Sequence, residues 1–241
     1  MTGAQYDAIG ARFEESKSTA AFSAADTFTL RAALGPITGL SVLDLACGYG
    51  FNTRLLAGRG ARPVVGVDVS VEMIRLAEKE EARAPLGIEY VIADVAGLPP
   101  LRRFDLATAI YLFNYAPTRP ALQAMFRGVR VNLAGHGRLL AIVPNPTPFP
   151  AANYDEFGLH ILERVPGGDA PLIRQEFTTD PPTPLEDYEW SLEDYETAAT
   201  RAGFGRVEWA PIRTPPPDET RDEAFWRRYR DHPVSSLMIC S

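Results

Sequence analysis

Three acids and one small-residue turn carry the chemistry that is legible first. Val42-Leu43-Asp44-Leu45-Ala46-Cys47-Gly48-Tyr49-Gly50 is an apolar run that ends in small residues, and an amphipathic segment starts at once with Phe51-Asn52-Thr53. That order spells a strand, a tight turn and a helix N-terminus. Gly48 and Gly50 let the backbone approach a ligand where a Cβ would clash, and the helix start offers unpaired N–H groups. Asp44 sits inside the apolar strand. A carboxylate there needs a partner, so it is expected to face a cationic group on a ligand. A second apolar run, Val64-Val65-Gly66-Val67, ends in Asp68. An acid at the end of the second strand of such a unit can accept both hydroxyls of a ribose.

Two nucleoside ligands fit a glycine turn followed by a ribose-binding acid: a nicotinamide dinucleotide and S-adenosylmethionine. The dinucleotide fingerprint requires Gly-x-Gly-x-x-Gly, because a pyrophosphate sits on the helix N-terminus. Here the third glycine position is Thr53, and Asp44 would set a negative charge near the phosphates. S-adenosylmethionine carries an ammonium and a sulfonium and no phosphate, and it suits Asp44 better. With these residues the sequence resembles the class I S-adenosylmethionine-dependent methyltransferases, whose first motif reads acid-x-Gly-x-Gly-x-Gly. Asp44-Leu45-Ala46-Cys47-Gly48-Tyr49-Gly50 matches it with Ala46 in place of the first glycine.

From residue 41 the pattern alternates between strand and helix. Strands are expected at 41–46, 63–68, 88–93, 104–112 and 137–143, and helices at about 52–59, 71–83 and 119–133. Such alternation implies an α/β fold, a parallel sheet with helices on both faces, which binds ligands beyond the C-terminal ends of its strands. The resemblance implies a doubly wound, Rossmann-like sheet of seven strands, the last antiparallel, closed by a helix from Ser191 and by strands near 207–209 and 234–239. It also implies an adenine site at Asp94 and the Val95 N–H, flanked by Val69 and Met73. A turn cap is the bland role for Asp94. The fourth strand, ending at Ile110, would pass the methionine part of the cofactor and open onto the acceptor pocket at Tyr111, Asn114 and Tyr115. Aromatic packing is the bland role of those three.

Residues 1–34 read as helical, with Tyr6, Ile9 and Phe13 at loosely helical spacing. In small-molecule members of the resembled family such helices cover the cofactor, which places Tyr6 near its carboxylate. Tyr6-Asp7-Ala8-Ile9-Gly10 with Phe13 and Lys17 also resembles the toxoflavin-type N-methyltransferases. After Pro144 comes a proline-rich stretch to about Tyr188, expected as a loop insertion with short edge elements. Within it, 157–162 reads as a short helix and 172–177 as a strand. An insertion at the catalytic rim reads as a substrate lid, here spanning 146–190. It puts Tyr154, His160 and Trp190 among the acceptor-binding candidates. His160, with Tyr111 and Asn114, is the candidate for moving a proton. The division that follows is one domain over 1–241: helices at 1–34, a cofactor-binding core at 35–145, the insertion at 146–190 and closing elements at 191–241.

The chain has 241 residues, 46% apolar and 23% charged, with a net charge of −7. That charge argues against a nucleic-acid substrate. Asn/Asp-Pro-Pro-Tyr/Phe does not follow the fourth strand, which argues against a macromolecule methyltransferase. Cys47 and Cys240 suggest no disulfide framework, and a reducing cytoplasm fits. The longest apolar run, Leu106 to Phe113, is too short to cross a bilayer. No His/Asp/Glu set has metal-ligand spacing. The resulting expectation is an N- or O-methyltransferase, monomeric or dimeric, that uses S-adenosylmethionine, releases S-adenosylhomocysteine and acts on a small heteroaromatic metabolite. Cyclisation on the same fold stays open as an alternative.

Overall fold

The computed structural model describes residues 19–146 and 154–241; Tyr6, Phe13 and Lys17 lie outside them. Helix α1 (Ala21–Leu34) leads into strand β1 (Val42–Leu45), helix α2 (Phe51–Gly58), β2 (Val64–Asp68), α3 (Val71–Arg83), β3 (Ile88–Ile92) and β4 (Phe104–Ile110). Helix α4 (Arg119–Asn132) and the long β5 (Leu133–Pro144) follow. Three strands come next: β6 (Leu159–Val165), β7 (Leu172–Phe177) and β8 (Thr183–Tyr188). The chain closes with α5 (Leu192–Arg201), β9 (Val207–Ala210), α6 (Glu223–Asp231) and β10 (Ser235–Cys240).

Seven strands form one sheet in the order β3-β2-β1-β4-β5-β10-β9. The pairs from β3 to β5 are parallel, and β10 runs antiparallel to both β5 and β9. Buried on both faces, the central strands read as nearly continuous apolar runs. Strand alternation divides them between two layers. Val42, Val64, Leu106, Leu140 and Ile142 join α1, α2 and α6 on one face. Leu43, Leu45, Val65, Val67, Ala107, Ala109 and Leu139 join α4 and α5 on the other.

The helix starts are chemically marked. Ser70, Thr118, Ser191 and Asp222 each accept a backbone N–H of the first turn of α3, α4, α5 and α6. Ser191 and Asp194 form a reciprocal pair, the Asp194 N–H donating to the Ser191 hydroxyl oxygen and that hydroxyl donating to the Asp194 carboxylate.

The insertion differs from its expected loop-like form. Strands β6, β7 and β8 form an antiparallel sheet of their own in that order. The expected helix at 157–162 is a short 3-10 turn, Asp155–Phe157, followed by β6. A short apolar run fits either period, and the cross-strand partners in β7 decided for the strand. Helix α6 was not expected from the sequence. Its buried Trp226 and Tyr229, three apart behind the Asp222 cap, are the signal that could have shown it. Among the described residues no helix is long and apolar enough to cross a membrane.

Candidate functional site

Strand order reverses direction between β1 and β4, and a crevice opens there beyond the C-terminal strand ends. One pocket is lined by residues from all five parallel strand ends: Ala46–Tyr49 after β1, Asp68 and Val69 at β2, Ala93–Val95 after β3, Ile110–Leu112 at β4, and Pro144 and Asn145 at β5. Met73 of α3 lines it as well. The inner face of the β6-β7-β8 sheet forms the opposite wall, through Leu159, Ile161, Ile173, Gln175, Phe177, Leu185 and Asp187.

The glycine turn is held in a left-handed backbone, with φ of 53° at Ala46, 55° at Gly48 and 87° at Gly50. Ala46 holds this left-handed conformation with a side chain, at a cost on the order of 1 kcal/mol. A Cβ on Gly48 would meet nothing within 4 Å, so the space over the turn is open to a ligand. Gly50 serves differently from the expectation. It does not line the pocket; a Cβ there would sit 2.4 Å from the Tyr90 hydroxyl.

Asp68 is nearly buried at the β2 terminus, its Oδ2 accepting the Gly48 N–H at 2.8 Å and its Oδ1 the Ser70 N–H at 2.9 Å. The residue lines the pocket, as a ribose acceptor must. Asp94 takes the turn-cap role and also borders the pocket. Oδ1 caps the Val95–Gly97 turn through the Ala96 N–H, while the exposed carboxylate borders the pocket. A carboxylate pair, an open glycine turn and the apolar Val69 and Met73 between them fit an adenosyl group carrying donors and no phosphate.

Asp44 departs from its expected contact. It is buried at 1% exposure behind the turn, and the Thr53 and Thr108 hydroxyls donate to its two oxygens at 2.6 and 2.7 Å. Two hydroxyls of the fold are thus among its partners, and it does not line the pocket.

The acceptor side brings some expected residues together and separates others. Asn114, Tyr115 and Tyr154 line the pocket. The Tyr111 ring does too, but its hydroxyl donates to Asp26 Oδ2 at 2.7 Å, and Ser235 donates to the other Asp26 oxygen. Burial, then the Asp26 charge, pushes the Tyr111 phenol far up, so it holds α1 to the sheet rather than exchanging protons. His160 is not at the pocket. It lies one residue out of phase with Leu159 and Ile161, so the strand period turns it to the outer face, where Nδ1 meets Asp155 at 2.6 Å. Trp190 is 1% exposed and donates its indole N–H to the Ala116 carbonyl, away from the pocket.

Sequence reasoning missed Asp187. Burial, offset in part by hydrogen bonds from Asn114 and Gln175 and reinforced by Glu189, pushes its carboxyl up to about 7. Its signal was the alternation of Thr183, Leu185 and Asp187 along β8, all three buried, with the exposed Pro184 and Glu186 between them.

Comparison with known proteins agrees with this geometry. A family profile described as "Methyltransferase domain" matches residues 42–137. A demethylmenaquinone methyltransferase of Lactococcus lactis is 30% identical over 193 residues, covering 73% of this chain and 70% of that protein. An N-demethylindolmycin N-methyltransferase of Streptomyces griseus is 24% identical over 184 residues, 76% of this chain and 77% of that one. The crystal structure of an S-adenosylmethionine-dependent methyltransferase from Mesorhizobium loti shares the fold, with a TM-score of 0.63 and 23% identity over 90% of this chain and 97% of that one. With its strand-end crevice, glycine turn and acid at the second strand, this chain belongs to the class I S-adenosylmethionine-dependent methyltransferases.

Proposed function

We propose that the chain transfers a methyl group to a nitrogen or oxygen of a small, heteroaromatic metabolite. The observation that carries this reading is the continuity of one pocket from the glycine turn to the inner face of the inserted sheet. Cofactor and acceptor can meet inside it. Two relatives are named for small molecules, demethylmenaquinone and N-demethylindolmycin, which supports an acceptor of that size.

Asp68 would hold the ribose hydroxyls, the Asp94–Val95 corner the adenine, and the Ala46–Gly48 backbone the amino-acid part. The bound cofactor supplies a methyl group already activated on a sulfonium. The work left to the protein is orientation and exclusion of water, and orientation alone reaches effective molarities on the order of 10⁵ M or more. The mostly apolar inner face of β6, β7 and β8 acts as the lid that keeps water out. We read the chain as one methyltransferase domain on this basis.

A transfer assay with methyl-labelled S-adenosylmethionine, run against a panel of heteroaromatic amines, phenols and quinols, tests the reading. Label should pass to at least one small acceptor and not to bulk RNA or protein. His160→Gln should retain wild-type turnover within about twofold, because its ring faces away from the pocket. Labelling of RNA or protein alone would refute the small-molecule reading.

A further inference from the structure

We propose that Asp187 and Asn114 form an amine-binding, proton-accepting site, so that the methyl acceptor is an amine nitrogen on an alkyl arm of a small aromatic metabolite, an ammonium at neutral pH. This rests on the methyltransferase reading and narrows it. The pattern of partners around Asp187 is one-sided. The Asn114 side-chain N–H donates to Oδ2 at 2.9 Å and the Gln175 side-chain N–H to the same Oδ2 at 3.0 Å. No described residue donates to Oδ1. Asn114, 1% exposed, keeps its own Oδ1 buried without a hydrogen-bond partner. Two side chains on the pocket wall thus each hold an unfilled acceptor. The buried Asn114 acceptor is costly to leave empty, and a group with several N–H donors fills it and Asp187 Oδ1 together.

Charge points the same way. Among the described residues that line the pocket there are four carboxylates, Asp68, Asp94, Asp187 and Glu189, and no lysine, arginine or histidine. Glu189 has its own cation in Arg164, at 2.8 Å, but Arg164 does not reach the pocket. Among these described residues an anionic acceptor would find no cationic partner, whereas an ammonium meets Asp187 in a wall that also carries Tyr154 and Tyr188.

The chemistry balances without a further reagent. The acceptor ammonium gives one proton to the Asp187 carboxylate, which frees the nitrogen lone pair. That pair forms the bond to the methyl carbon while the sulfur–methyl bond breaks and its electrons stay on sulfur. The product leaves as the methylated ammonium, and Asp187 returns its proton to solvent. The groups facing Asp187 are Asn114, Gln175 of β7, Glu189 beyond β8 and the buried Tyr195 of α5, whose phenol burial and these acids push up. A carboxyl that burial holds near 7 is a competent base at neutral pH.

The test is calorimetry on the full chain saturated with S-adenosylhomocysteine, with three probes of one shape: phenethylamine, 2-phenylethanol and 3-phenylpropionate. At pH 8 the amine should bind at least tenfold more tightly than the alcohol, and the carboxylate weakest. Asp187→Asn should bring the amine within about threefold of the alcohol, and wild-type amine affinity should fall as pH drops through about 7. Equal or tighter binding of the alcohol or carboxylate, no amine binding, or an unchanged preference in Asp187→Asn overturns the proposal. If Asp187→Asn does not fold, the wild-type series still decides the charge preference. Failure of S-adenosylhomocysteine itself to bind would instead strike at the methyltransferase reading.

Discussion

Gly128→Ala is expected to lower folding stability by about 3 kcal/mol or more and to weaken cofactor binding at least tenfold. Gly128 lies on the buried face of α4, and a Cβ built there comes within 2.1 Å of the Val95 carbonyl oxygen. Both sides of the clash are backbone, so no rotamer change can relieve it. Either α4 moves off the sheet or the Val95–Gly97 turn moves out of the pocket. The second movement displaces the corner assigned to adenine, which couples stability to affinity. Gly97→Ala is the control: a Cβ there meets nothing within 4 Å, and it should leave both quantities nearly unchanged. Urea unfolding and S-adenosylhomocysteine titration of the two variants read the effects. Equal behaviour of the pair would mean that the helix does not position the turn.

Asp44→Ala should destabilise the chain by about 2–4 kcal/mol, from two buried hydroxyls losing their acceptor. Thr108 is the register neighbour of Asp44 on β4, and Thr53 belongs to the first turn of α2. The carboxylate therefore ties two strands to the helix that follows the glycine turn. Denaturant unfolding checks it. A loss below about 0.5 kcal/mol would show that the hydroxyls find other partners and that the tie is dispensable.

The core of the fold was legible because its signals are local. The β1 turn, the helix start at Ser191 and the apolar runs of β2 and β4 each announce themselves within a few residues. What stayed hidden depends on phase or on distant partners. The need of Asp44 for a partner was readable; that Thr108, on a neighbouring strand, supplies it was not, since register is not written in a single segment. His160 and Asp187 were missed for one reason, the parity of strands concealed in a proline-rich stretch. Pro184 reads as a breaker, yet β8 is an edge strand, where a missing N–H is tolerated. With β6 and β8 recognised as strands, alternation alone sends His160 outward and Asp187 inward.

The account turns on Asp68 and the glycine turn as the seat of the cofactor, and calorimetric titration with S-adenosylhomocysteine tests it most directly. The wild-type chain should bind it and show no preference for NAD, and Asp68→Ala, folded by circular dichroism, should bind at least tenfold more weakly. Unchanged affinity in Asp68→Ala, or a wild-type chain that prefers NAD, would contradict the assignment.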